Sequence, residues 1–239
     1  MQLRALHAAS RGTYGSPRLL HALRATGDRV GRCRVIRLMR LDHLVGRPRR
    51  RFRVTTTVDH QAIPAPNHLQ QRFAIAEPNR VWAGDMTALP TREGWLYLAV
   101  LLDLCSRRIV GWATRPTLDT PLICAALTLA VGRRQLTPPV LHHSDRGTQY
   151  TSDRYQRLLR AHGFICSMSR SGNCYDNAPV ESFFHTLKNE IGERHWASRE
   201  AATRDVADYI DRFYNRVRLH SALAYQSPMH YETQLGHAV

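Results

Sequence analysis

Three carboxylates carry the chemistry this sequence is best equipped for: Asp85 in VWAGDMT, Asp145 in HHSDRGTQYTS and Glu181 in CYDNAPVESFFHTLKNE. Thirty-five residues separate Asp145 from Glu181. Three acids so arranged suggest a cage for Mg²⁺, a hard cation that takes oxygen ligands. Two such ions held by shared carboxylates clamp the attacking and leaving oxygens of an in-line phosphoryl transfer. Polynucleotide strand cleavage and joining is therefore the expected reaction. Each acid also has an ordinary explanation. Asp85 stands among apolar neighbours, where a carboxylate is costly unless a metal or an arginine meets it. Asp145 follows a strand end, a common turn position, and Glu181 lies near a helix start, where the helix dipole favours an acid.

The charge balance points to a phosphate-rich partner. Lys and Arg number 34 against 19 acids, a net charge of +15, and a field of that sign attracts polyanions before any specific contact forms. Residues 1 to 54 hold 14 arginines against Asp28 and Asp42, a net of +12, while the rest holds 20 basic and 17 acidic residues, a net of +3. The amino-terminal segment is thus the main electrostatic footprint. Its arginines alternate with apolar residues at helical spacing, which is more than a merely solvated face requires.

With 239 residues, 43% of them hydrophobic, the chain can bury one good core and carry a small appended domain. No apolar run approaches the ~18 residues that span a bilayer, and MQLRALHAASRG lacks a signal peptide's apolar stretch. A cytoplasmic protein, nucleoid-associated and without a membrane partner, is expected. Cys33, Cys105, Cys124, Cys166 and Cys174 are odd in number and form no C-x-x-C pair, so they read as reduced thiols.

Three zones position the acids. In residues 1–54, Ser16-Pro17 opens a helix with Leu19, Leu20 and Leu23 inward, and Gly27 closes it. A second helix lies between Gly31 and Gly46, with Val35, Leu38, Met39 and Leu41 to Leu44 as its apolar side and Arg32, Arg34, Arg37 and Arg40 elsewhere. Such a pair fits a helix-turn-helix-like DNA contact, and equally a basic hairpin packed on another domain. Residues 55–79 form a Pro-containing linker, and the Arg cluster just before it, including Arg49, Arg50 and Arg51, is placed to track phosphates. From 80 to 239 the pattern becomes strands and helices. VWAGDMTAL is strand-like, and WLYLAVLLDL with RRIVGWAT makes an antiparallel hairpin. A helix then runs from Asp119 to Gly132 with Leu122, Ala125, Ala126 and Leu129 on one face. Strand 139–143, helix 152–162 and strand 164–168 follow. Two helices close the pattern, with stripes Val180, Phe183, Phe184, Leu187, Ile191 and Ala202, Val206, Tyr209, Ile210, Phe213. The order describes an α/β fold with a mixed five-stranded sheet.

These phrases, with YLAVLLDLCSRRIVGWA and YNRVRLHSALAYQSP, occur in the order found in bacterial insertion-sequence transposases of the retroviral-integrase type. More narrowly, the chain resembles the downstream reading-frame product of the insertion sequence three family. The resemblance covers nearly the whole chain. It implies a ribonuclease-H-like integrase core with Asp85, Asp145 and Glu181 as the Asp-Asp-Glu triad. Two Mg²⁺ ions are then expected, one on Asp85 and Asp145 and the other on Asp85 and Glu181, with Mn²⁺ substituting. It further implies DNA as partner, both terminal repeats and target, strand transfer by a 3′-hydroxyl, a homo-oligomer on two DNA ends, and association with the upstream-frame protein. No heptad run is present and little sequence precedes Ser16, so terminal-repeat recognition is expected to reside largely elsewhere. The competing readings are a non-catalytic DNA-binding transposase remnant or regulator, and a stand-alone nuclease.

The other acids read as structural: Asp103 in a turn, Asp176 with Asn177 as a helix-capping pair. His142 and His143 adjoin Asp145 and are candidates to meet a phosphate, or are simply packed. Lys188 is the only lysine beside 33 arginines. With Glu181 and His185 it falls at i, i+4 and i+7, a face expected to lie opposite the apolar stripe, and both Lys188 and His185 are expected DNA contacts.

Overall fold

The computed structural model describes residues 2–47, 64–170, 174–191 and 196–236. Three short helices come first: α1 (Gln2–Ala9), α2 (Ser16–Ala25) and α3 (Arg32–Leu41). Pro17 sits in the first turn of α2, where its missing N–H costs nothing, and Gly27 ends the helix at φ +92°, where glycine is unstrained. Leu19, Leu20, Leu23, Val35 and Met39 are buried as their spacing predicts. Leu41 is 66% exposed, because the helical turn carries it off the face that Val35 and Met39 define. No helix is expected before Ser16, yet α1 occupies that stretch and buries Leu3.

The sheet comprises β1 (Val81–Thr91), β2 (Gly94–Asp103), β3 (Ile109–Arg115), β4 (Val140–Ser144) and β5 (Phe164–Met168), in the spatial order β3-β2-β1-β4-β5. β1 runs antiparallel to β2 and parallel to β4. Side chains alternate between faces, so one sequence supplies two cores. Trp82, Ala99, Leu101 and Val110 meet the layer of α4 (Thr120–Arg133), α5 (Thr148–Thr151) and α6 (Asp153–Ala161). Asp119 caps α4 by accepting from Leu122 N at 3.1 Å. Its buried face is Leu122, Ile123, Ala126, Leu127 and Ala130, whereas Ala125 is exposed and Leu129 half-buried, a rotation from the expected face. The close seat against β3 explains it: any Cβ at Gly111 would meet Ala126 O at 2.3 Å.

Val81, Ala83, Leu98, Val100 and Leu102 face the other layer, α7 (Ala178–Ile191) and α8 (Arg199–Ala207). Both predicted stripes are buried there, and α8 runs on into a π-helical turn, Asp208–Tyr214, that carries Tyr209, Ile210 and Phe213. Leu19, Leu23 and Val35 belong to this same core, so the basic helices are docked on the sheet domain. Residues 64–79 are anchored at particular points: Leu69 is buried, and the His68 and Leu69 amides donate to Ser167 Oγ at 3.0 and 3.3 Å. α9 (Pro228–Gln234) is fastened by buried Glu232, which accepts from both Arg134 terminal nitrogens at 2.8 Å, from Arg108 and from Ser106. Asp103 accepts from the Asn79, Cys105 and Ser106 amides, the expected turn role. Among the described residues no helix is long and apolar enough to cross a membrane.

Candidate active site

β1 and β4 pair in parallel through Val81 with Leu141, Trp82 with His142 and Ala83 with His143. Asp85 and Asp145 each come two residues later, so the register carries them to adjacent positions on the face that α7 covers, about one strand spacing of ~4.8 Å apart. Asp85 Oδ1 accepts from Met86 N at 2.7 Å, and Asp145 Oδ1 accepts from Gly147 N at 2.9 Å. A Cβ at Gly147 would press to 3.1 Å from that oxygen, which accounts for the glycine.

All three acids are half-buried. Burial, then the charge of Asp145 and that of Glu181, raise the Asp85 pKa well above its ordinary value, and Lys188 opposes them. Burial also raises Asp145 and Glu181. No arginine among the described residues pairs with Asp85; the cation beside it is Lys188, whose charge only partly offsets burial and the neighbouring acids. Among the described residues no three His, Cys, Asp or Glu side chains are gathered at ion-holding spacing. The donor set itself is entirely oxygen and mutually repelling. It fits a hard divalent cation, which would offset that repulsion, and would not suit a soft one.

Glu181, His185 and Lys188 are half-buried along one flank of α7, next to the apolar stripe. The expectation that they lie opposite it is corrected: at i, i+4 and i+7 they sit only roughly a quarter turn from Val180, Phe184 and Leu187. Burial lowers the Lys188 pKa and Asp85 raises it, so the ammonium shares the acids' environment. Arg32, Arg34 and Arg37 are exposed along α3. Arg49, Arg50 and Arg51 lie outside the described residues.

His142 and His143 are fully buried and belong to the interior. His142 Nε2 meets Tyr155 Oη at 2.9 Å, and His143 bonds Ser167 and Ser169 at 2.9 and 3.2 Å. Burial pushes them down to about 3 and about 4, so both are neutral and neither meets a phosphate. Asp176 is an anchor rather than a helix cap. It accepts from Arg170 N, Nε and Nη2 at 2.8, 3.1 and 3.0 Å, and from Asn67 and Gln71 at 2.9 and 2.8 Å. The Arg170 guanidinium holds it well below the usual carboxylate range.

Two further residues belong to the site: Asn177, read from the sequence only as part of a helix cap, and Tyr150, which the sequence did not single out. Asn177 Nδ2 donates to Gly84 O at 3.2 Å, tying the start of α7 to the residue before Asp85. Tyr150 is buried where Asp85 and Asp145 both raise its hydroxyl further. Each stands inside a phrase that also holds an acid, yet neither type announces a role without its neighbours in space.

The integrase core domain family matches residues 76–174 and, in a second form, 162–228, and the HTH-like domain family matches 1–52. Over 232 residues the chain is 40% identical to the transposase for insertion sequence element IS904 of Lactococcus lactis subsp. lactis, covering 97% of this chain and 92% of that one. It is 43% identical over 226 residues to transposase InsF for insertion sequence IS3A of Escherichia coli, covering 94% and 78%. Among solved structures, the simian T-cell lymphotropic virus intasome in complex with PP2A regulatory subunit B56 gamma matches at TM-score 0.57 and 15% identity, over 99% of this chain and 75% of that one. The HTLV-2 integrase catalytic core in complex with magnesium matches at TM-score 0.51 and 15% identity, over 64% and 96%. At that identity the likeness is one of fold.

Proposed function

The chain belongs to the IS3 family of insertion-sequence transposases, and on that footing we propose that Asp85, Asp145 and Glu181 are the triad at which it cuts and joins DNA strands. The observation that supports this most is the register that brings Asp85 beside Asp145, with Glu181 near enough to raise the Asp85 pKa. The three carboxylates are suited to two Mg²⁺ ions, with Mn²⁺ substituting, and the magnesium of the HTLV-2 core accords with that choice. Such ions, when bound, supply Lewis-acid stabilisation of the attacking and leaving oxygens.

The side chains do the positioning. Backbone amides hold one oxygen each of Asp85 and Asp145 in place, and Asn177 fixes the start of the helix that bears Glu181. Lys188 and His185, on the Glu181 flank, contact the phosphates of the DNA end. Arg32, Arg34 and Arg37 meet the duplex as the second helix of a helix-turn-helix does, and Arg49, Arg50 and Arg51 continue along the backbone. The division is 1–54 for DNA binding, 55–79 as connection and 80–239 as the catalytic core. The 3′-hydroxyl of the cleaved terminal repeat attacks target DNA directly, so no covalent enzyme intermediate forms. Two such ends are held by a homo-oligomer, with which the upstream-frame protein associates.

A strand-transfer assay with labelled terminal-repeat DNA, in Mg²⁺ and in chelator, tests the reading. Joined product in Mg²⁺ alone is expected. Binding without cleavage would favour a regulator, and cleavage without joining a nuclease.

A further inference from the structure

The last carbonyls of a helix have no partner within it, and those of α7 are met by the DNA-binding segment. Arg47 Nη1 donates to Asn189 O at 2.9 Å and to Glu190 O at 3.2 Å. A cation also suits the negative end of the helix dipole. Arg47 is itself tied down, since its amide donates to Thr13 O at 3.2 Å, and Gly46 passes so close to Gly15 that a Cβ there would meet its backbone at 2.7 Å.

A second link runs beside the first. Glu190 is buried and accepts from Arg218 Nε and Nη2, each at 2.9 Å at its nearest, and from Tyr209 Oη at 2.8 Å. The residue after Arg218, Leu219, donates its amide to Tyr14 Oη at 2.7 Å and accepts from Arg18 Nε at 3.0 Å. The helix with Glu181 in its first turn therefore has its far end held by residues of the α1–α3 unit. Over fourteen residues it is stiff, so a shift at Asn189 and Glu190 is transmitted to Glu181.

Resting on the triad reading above, we propose that Arg47 is a positioning residue that couples DNA engagement by the amino-terminal helices to the placement of Glu181. Its partner is the end of α7.

The test uses the full chain and a duplex of the element's terminal repeat, with hydrogen exchange across residues 178–191 and joining at saturating DNA as readouts. In the wild type, duplex binding is expected to change protection of α7. Arg47→Ala should keep affinity within about threefold, lose that DNA-dependent change, and join about tenfold more slowly at saturating DNA. Arg47→Lys, which still donates to a carbonyl, should recover part of both. Tyr14→Phe, which removes the hydroxyl but leaves Arg47, should weaken the change without abolishing it. If Arg47→Ala lost only affinity and salt slope and joined normally at saturation, Arg47 would be a phosphate contact and the inference would fall. A DNA-dependent change in α7 that persists in Arg47→Ala would overturn it equally, and should that variant not fold, a Lys variant without the change would stand against it. Should the wild type bind and alter α7 yet never join DNA, the triad reading fails and the coupling stands.

Discussion

Asp85 and Asp145 stand side by side, each two residues beyond the last paired position of β1 and β4, and the charge of Asp145 raises the pKa of Asp85. Neither carboxylate is neutralised by an arginine among the described residues. An amide in place of any acid of the triad keeps the shape and removes the charge that a cation needs. Asp85→Asn, Asp145→Asn and Glu181→Gln should each cut joining to below about one hundredth, while DNA affinity, spread over many arginines, holds. Near-wild-type joining by one variant at limiting Mg²⁺ would remove that residue from the triad.

The raised Asp85 pKa has a consequence for stability. Its folded value lies above the ordinary 3.8, so the stability tied to its proton is fully present below 3.8 and lost as pH rises through the folded value. Asp176 and Glu232, with lowered values, act in the opposite sense and lose their contribution as pH falls. In chelator at pH 8, Asp85→Asn should therefore raise Tm by roughly 2–4 °C, and Mg²⁺ should stabilise the wild type but not the variant. A lower Tm for the variant in chelator would contradict the reading of Asp85 as an acid whose ionised form is disfavoured by burial and by its acidic neighbours.

Much of this was legible before the fold was known. Apolar, β-rich runs predicted β1 and the β2–β3 hairpin, and helical spacing predicted the buried stripe of α7, because both signals lie in the local sequence. His142 and His143, open in the sequence to a phosphate role or to simple packing, are packed, and the choice rests on Tyr155, Ser167 and Ser169, which face them from other parts of the chain. Asp176 was misread for the same reason, since Arg170, Asn67 and Gln71 reach it from separate parts of the chain. The docking of α2 and α3 on the sheet domain left no local signal either, because Leu19 and Val35 would look identical in a free helical hairpin.

Lys188 lowers the pKa of Asp85, and Asp85 raises that of Lys188. On the proposed reading the ammonium also meets a phosphate of the DNA end, so its loss would remove that contact as well as lift Asp85 further. Lys188→Ala should slow end cleavage and joining by about tenfold or more, and the acidic limb of the pH–rate profile should move to higher pH, where Asp85 is again ionised. Lys188→Arg should be partly functional, since a guanidinium restores charge but not the compact head. An alanine variant with wild-type rates and an unshifted profile would show an ordinary surface lysine.

The amino-terminal charge calls for a gentler test than truncation. Leu19, Leu23 and Val35 share a core with Phe183, Tyr209 and Phe213, and Tyr14 bonds Leu219, so deleting residues 1–54 strips cover from α7, α8 and the π-helical turn. The truncated chain should lose stability and solubility together with DNA affinity, which would leave the cause of weak binding ambiguous. Arg32, Arg34 and Arg37 are exposed, and replacing all three by glutamine leaves that core intact. Each phosphate contact removed should make the log-salt slope of DNA binding shallower by about 0.9, so the triple variant should approach a change of about 2.7 if all three touch the backbone. Tm should stay within a few degrees of wild type, as surface substitutions away from packed features are near neutral. An unchanged salt slope with unchanged Tm would mean that α3 does not face the duplex, and that the basic helices serve the fold alone.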